Sequence, residues 1–142
     1  MTKIVINKCY GGFGISPRAT VEYLKRKGKQ AYFYDRDYNT DKFVKVDIKQ
    51  ADMLGLFYYT FTRDFGDKVE KSVVYADQDS FVVGSDIPRD DPDLVTIVEE
   101  LGEESYGMHA KLLVVEIPDD VDWEIDEYDG MECISEKHRS WC

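Results

Sequence analysis

The chain reads as an α+β protein: one globular domain over residues 1–142, with a mixed or mainly antiparallel sheet and two main helices. Three observations predict this. Leu94, Ile97, Val98 and Leu101 recur at helical spacing behind Asp91-Pro92, while Val121, Trp123 and Ile125 alternate with Asp122, Glu124 and Asp126. Asp129-Gly130 then marks a tight hairpin.

Ile4 to Tyr10 forms the first expected strand, led by the apolar run Ile4-Val5-Ile6. Ser16 is placed to cap the first helix and Pro17 to open it, because proline's fixed φ suits that position. Val21 and Leu24, joined by Ala19 or Tyr23, give the apolar stripe; Lys25, Arg26 and Lys27 complement the negative helix end, and Gly28 stops it. Gln30 to Asp35 reads as a second strand, which makes a β-α-β start. Further strands are expected at Phe43–Ile48, Leu56–Thr62, Ser72–Tyr75 and Ser80–Val83, where β-branched and aromatic residues concentrate. The second helix begins at Asp91-Pro92 and ends at Gly107, with Gly102 weakening its last turn. Lys111–Ile117, the Val121–Asp126 alternation and Met131–Ser135 complete the list.

Charge narrows the function classes. The net charge is −11, with eleven Lys/Arg against five Asp/Glu in residues 1–50 and seven against twenty-four in residues 51–142. Ten acidic and no basic residues lie between Glu116 and Glu136. Direct nucleic-acid binding is therefore not expected, since phosphates would be repelled. No apolar run approaches a membrane span and no signal peptide is seen, so a cytoplasmic protein without a membrane partner is expected. Cys9, Cys133 and Cys142 have neither zinc-like nor framework spacing and are expected as reduced thiols.

Lys8-Cys9-Tyr10-Gly11-Gly12-Phe13-Gly14-Ile15-Ser16-Pro17 joins the first strand to the first helix. A glycine-rich turn at a helix N-terminus can hold an anion on backbone N–H groups. Gly11, Gly12 and Gly14 allow close approach, Lys8 and Arg18 supply charge, and Tyr10 and Phe13 can stack on a base or sugar. Neither the phosphate-binding loop pattern nor the dinucleotide fingerprint is complete, because position 17 is Pro17 and no Gly-Lys-Ser/Thr follows. The competing account is a tight structural turn with Phe13 in the core. Near the C-terminus, His138 and Arg139 can donate to an anion with Trp141 as an aromatic wall, or Trp141 can simply pin the chain end.

Asp122, Glu124 and Asp126 place carboxylates about 6.6–7 Å apart on one strand face. That spacing approaches successive nucleic-acid phosphates, which suggests a mimic; a plain solvated face accounts for it too. No catalytic set can be assembled: only His109 and His138 are present, and Cys9 is expected to be structural. The Asp77/Asp79 and Asp90/Asp91/Asp93 groups lack a calcium-loop spacing, so neither a metal nor another cofactor is expected.

The segments IVINKCYGGFGIS and RDDPDLVTIVEELGEES, with KLLVVEIPDDVDWEIDEYDGMECISEKHRSW, resemble a family of small bacteriophage and prophage proteins. The resemblance covers roughly the first 28 residues and most of residues 86–141, and no catalytic residue is carried over from it. It implies an accessory protein in a bacterial cytoplasm, working against host defence. The first expectation is a binder that sequesters a small phosphorylated or nucleotide-derived ligand at the glycine turn, with a second subunit closing the pocket. The alternative is an acidic inhibitor that blocks a host defence protein through Asp122, Glu124 and Asp126; a nucleotide-cleaving enzyme is third.

Overall fold

The computed structural model describes residues 1–55 and 58–136, and the backbone of residues 140–141. It is an α+β fold divided into two compact units, Met1–Ala19 with Gly84–Cys142, and Thr20–Val83. Among the described residues every strand pairing is antiparallel.

The first unit is built from both ends of the chain. Strand β1 (Thr2–Asn7) pairs with β7 (Leu112–Ile117), in a register that sets Thr2 opposite Ile117 and Asn7 opposite Leu112. Ile4, Val5 and Ile6 have no accessible surface, which explains their unbroken apolar run: β1 is covered on both sides. One side packs against helix α4 (Pro92–Leu101), through its buried Leu94, Val95, Ile97 and Val98. The other joins a core of Ile4, Ile6, Ile117, Val121 and Ile134, edged by Trp123 and Ile125. Burial of each such side chain contributes about 1.5–3 kcal/mol.

Helix α4 starts as expected, with the Asp91 carboxylate accepting the Asp93 N–H at 2.9 Å behind Pro92. It ends earlier, at Gly102 with φ 56°, and a 3₁₀ turn over Gly102–Ser105 follows. The Asp129-Gly130 hairpin joins β8 (Glu124–Tyr128) to β9 (Met131–Ser135), and both turn residues have positive φ, 52° and 91°. Those angles define the turn whose twist suits antiparallel strands. A two-residue strand, β10 (Ser140–Trp141), adds to the far side of β9. Cys9 is a free thiol, but Cys133 is disulfide-bonded, which corrects the expectation of reduced thiols throughout.

Helix α1 (Pro17–Arg26) opens with Ser16 Oγ accepting the Ala19 N–H at 3.1 Å, the expected cap. The second unit carries a five-stranded sheet in the order β5-β3-β2-β4-β6, made of Lys68–Glu70, Lys42–Val46, Tyr32–Asp37, Tyr59–Phe61 and Phe81–Val82. Thus β1 and β2 belong to different sheets, and the expected β-α-β unit does not form. Two local expectations also change. Ile48 leaves the strand to open α2 (Ile48–Leu54), because Asp47 and Gln50 form a reciprocal capping box. Ser72–Tyr75 lies in α3 (Lys71–Ala76), not a strand. Val74 is its buried residue, Lys71 and Asp77 are half-buried three residues to either side, and the positions between are exposed, so burial follows a helical rather than an alternating pattern.

One sheet face is aromatic. Tyr34, Phe43 and Phe61 are fully buried there, and edge-to-face contacts join Tyr34 to Phe61 at 5.6 Å and Phe43 to Tyr59 at 5.0 Å. The Tyr34 hydroxyl donates to the Gly66 carbonyl and accepts the Phe65 N–H, each at 2.9 Å.

Burial pushes the pKa of Tyr34 up, against a smaller downward pull from the Phe65 N–H, and burial likewise raises Tyr58. Both phenols therefore ionise more readily in the unfolded chain. Their contribution to stability is intact below the unfolded value of about 10 and is lost as pH rises through the higher folded values. Urea titrations from pH 8 to 11 should show stability falling only above about pH 10, with a shallower fall in Tyr58→Phe than in the parent.

Candidate functional site

The residues singled out around the glycine turn lie in the first unit, where a buried amide anchors the turn. Asn7 ends β1 with no exposed surface. Its Nδ2 donates to the carbonyls of Cys9 (2.6 Å) and Gly130 (2.7 Å), and its Oδ1 accepts the N–H groups of Cys9 (3.2 Å) and Lys111 (2.9 Å). All four hydrogen-bonding positions of the side chain are filled. The Asn7 N–H donates to Glu132 Oε1 at 2.7 Å.

Glu132 is itself buried and meets Arg89 in a two-pronged pair, Nη1 to Oε1 at 2.6 Å and Nη2 to Oε2 at 2.9 Å. The Arg89 carbonyl accepts the Val5 N–H at 2.9 Å, which ties the loop before α4 to β1. Its guanidinium lies over the Phe13 ring, 3.5 Å from the centroid. One face of Phe13 is therefore already covered by a cation.

The glycines fit equally close surroundings. A Cβ at Gly11 would overlap the His109 Cβ and carbonyl oxygen, and one at Gly107 would stand 2.6 Å from the Gly14 carbonyl carbon. At Gly130 it would overlap the Tyr10 carbonyl oxygen and come within 2.6 Å of the Gly12 nitrogen. Backbone bonds run alongside: Lys8 N–H to the Lys111 carbonyl (2.7 Å), Gly107 N–H to Gly14 (2.9 Å) and Ser16 N–H to Ser105 (3.0 Å). Thus residues 8–16 lie against the 104–111 segment and the Asp129-Gly130 turn, and close approach accounts for Gly11 and Gly107, whereas a Cβ at Gly14 would make only an ordinary contact, 3.8 Å from the Gly107 Cα. Gly12 has φ 89° and open space beyond it, so the turn conformation accounts for that position.

Of the remaining predicted residues, Tyr10 is exposed and Arg18 pairs with Glu104 at 2.7 Å on the surface. Lys8 is half-buried. His138, Arg139 and the Trp141 side chain lie outside the described residues. Asp77 pairs with Arg63 at 3.0 Å and Asp91 caps α4; among the described residues no three His, Cys, Asp or Glu side chains are grouped to hold a metal ion. No helix there is long and apolar enough to cross a membrane.

Comparison with family models, curated proteins and solved structures finds no match.

The acidic strand is laid out differently from the glycine turn. Asp122, Glu124, Asp126, Glu127 and Asp129 are all exposed. In the three-stranded sheet β8 pairs only with β9, so its other edge is open among the described residues. The Asp126 carboxylate accepts the Ser135 hydroxyl at 2.5 Å, and the other four have no cationic partner among the described residues. Elsewhere on this segment Asp119 is engaged by the chain's N-terminal ammonium (3.0 Å) and the Thr2 hydroxyl (2.9 Å), which hold its carboxyl below its ordinary pKa.

Division into units also redistributes charge. Thr20–Val83 contains eleven basic and eleven acidic residues, whereas the first unit contains seven and eighteen and so carries the whole −11. Of the eleven basic residues in the first fifty, only Lys3, Lys8 and Arg18 belong to the glycine turn's own unit. Sequence reasoning grouped charge by position along the chain, and it missed both this partition and the roles of Asn7, Arg89 and Glu132. The buried-strand setting of Asn7, at the end of an apolar run, was the available signal.

Glu132→Gln leaves Arg89 without its buried carboxylate and should cost about 3–5 kcal/mol in chemical denaturation, whereas Arg18→Ala at the exposed pair should cost under about 1 kcal/mol. Gly12→Ala should cost about 1–2 kcal/mol from its positive φ alone. Gly130→Ala should cost clearly more, because overlap with Tyr10 adds to the same strain.

Proposed function

We propose that the protein acts by binding, through the β8 face, a basic surface on another protein. The observation that carries this reading is the concentration of the entire net charge in one unit, with Asp122 and Glu124 exposed on one face of the strand and unpaired by any described cation. Exposed carboxylates on an extended strand steer a cationic partner and disfavour anionic ones. The same negative field opposes a phosphorylated ligand at the glycine turn, where Phe13 already stacks on Arg89 and Arg18 already pairs with Glu104.

Read with the resemblance to small phage and prophage proteins, the partner expected is a host defence protein whose basic groove serves nucleic acid. The carboxylate row on β8 occupies that groove in place of phosphates. Sequestration of a small phosphorylated ligand in a homo-oligomer is the weaker reading, supported by the exposed Tyr10 and by Lys8 beside the turn.

The test is affinity capture from host lysate with the parent protein and with Asp122→Asn/Glu124→Gln/Asp126→Asn. A nucleic-acid-binding protein should be retained at low salt, released between 50 and about 300 mM salt, displaced by duplex DNA, and reduced at least tenfold by the triple variant. Equal retention by parent and variant, or no retained basic protein at low salt, overturns the proposal.

A further inference from the structure

The neutral unit carries a cleft of about 280 Å³ that the acidic-face reading does not use. Its walls are Phe43, Tyr59, Phe61, Val74, Tyr75 and Phe81, with Gln78 as the polar residue. The origin of the cleft is geometric. Five strands present an aromatic face about 19 Å across, but α3, which supplies Val74 and Tyr75, is six residues and so about 9 Å long. The aromatic surface is wider than its cover. Phe81 and Tyr75 remain 41% and 52% exposed, although the first stands 5.3 Å from Phe61 and the second 6.2 Å from Phe43.

Cationic groups stand at one side of these rings. Arg36 is the register partner of Phe43, so both project from the same sheet face. Lys71 lies one helical turn before Tyr75 on α3. Arg36 and Lys71 share a single carboxylate, that of Asp41, at 2.5 and 2.6 Å. Two cations on one anion leave a surplus positive charge beside an aromatic cleft. By contrast the nearby Arg63–Asp77 and Lys42–Glu70 pairs balance one to one.

We infer that this cleft binds a planar aromatic ring bearing one anionic group, the ring held edge and face between Tyr75, Phe81 and Tyr59 and the anion taken by Lys71 and Arg36. The volume suits a single ring or a nucleobase with its substituent and is too small for a dinucleotide. Ring contacts supply the area, and the charge-assisted bonds select the anion.

Calorimetric titration with phenyl phosphate and with UMP tests this, using phenol, uridine and inorganic phosphate as controls. Either aromatic anion should bind, at least about tenfold more tightly than its uncharged counterpart and than phosphate alone. The UMP arm separates a nucleotide from a single-ring acid as the source of the chemistry. Tyr75→Ala and Lys71→Gln change exposed side chains, and circular dichroism checks that both fold. Each should weaken binding at least fivefold. Absence of binding by both aromatic anions at about 1 mM, equal binding of uridine and UMP with equal binding of phenol and phenyl phosphate, or unchanged affinity in Lys71→Gln overturns the inference. The triple β8 variant should bind these probes as the parent does, so failure here and failure of the acidic-face reading are separable.

Discussion

Everything in the first unit turns on one buried asparagine. Asn7 closes β1, holds the glycine turn through Cys9, holds the hairpin through Gly130, and holds the 107–111 segment through Lys111. Three segments far apart in the chain meet at a single amide, and its backbone passes the connection on to Glu132 and Arg89. A buried polar cluster of this kind is stable only when complete, because each orphaned group costs its full desolvation. Completeness is what the structure shows: among the described residues no buried side-chain polar atom lacks a partner. The glycines follow from this arrangement. Backbones drawn to hydrogen-bonding distance leave no volume for a Cβ at Gly11, Gly107 or Gly130.

Features governed by neighbouring residues were legible in the sequence. The Ser16-Pro17 and Asp91-Pro92 helix starts and the Asp129-Gly130 hairpin depend on groups within three residues of one another, and they appear as expected. The α+β class followed from them. What was not legible was set by distant partners. Ser72–Tyr75 has strand-forming residues, yet it folds as a helix over the aromatic sheet face. β1 and β2 look like halves of one β-α-β unit, but β1 takes its partner 110 residues downstream. The candidate site was legible in the same uneven way. Sequence marked Asp122, Glu124 and Asp126 as an exposed strand face, and all three are exposed. It could not show that Arg89 would cover Phe13, since 76 residues separate them.

The two units solve the packing of aromatic and charged residues by different means. In the first, apolar aliphatics sandwich β1, and surplus carboxylates are left on the surface. In the second, charges balance and the core is a cluster of rings meeting edge to face. Rings packed this way fill space less adaptably than branched aliphatics, since each prefers a defined contact angle. An unfilled recess under a short helix is a natural product of such a core. Charge on one unit and concavity on the other give the chain two chemically distinct surfaces.

The first unit has a discontinuous chain path: residues 20–83 interrupt it, and Thr2 finds Ile117 only after more than a hundred residues have been made. During synthesis on the ribosome, β1 therefore emerges as an apolar ribbon with no partner for several seconds at ordinary elongation rates. The interrupting segment, whose strands pair with one another among the described residues, is complete long before β7 appears. Assembly is thus vectorial, with the inner unit able to settle first while the outer one waits for its last third. Ile4-Val5-Ile6 is exposed in the interval, so the stretch that is best buried at the end is also the one most open to chaperones and to misassociation at the start.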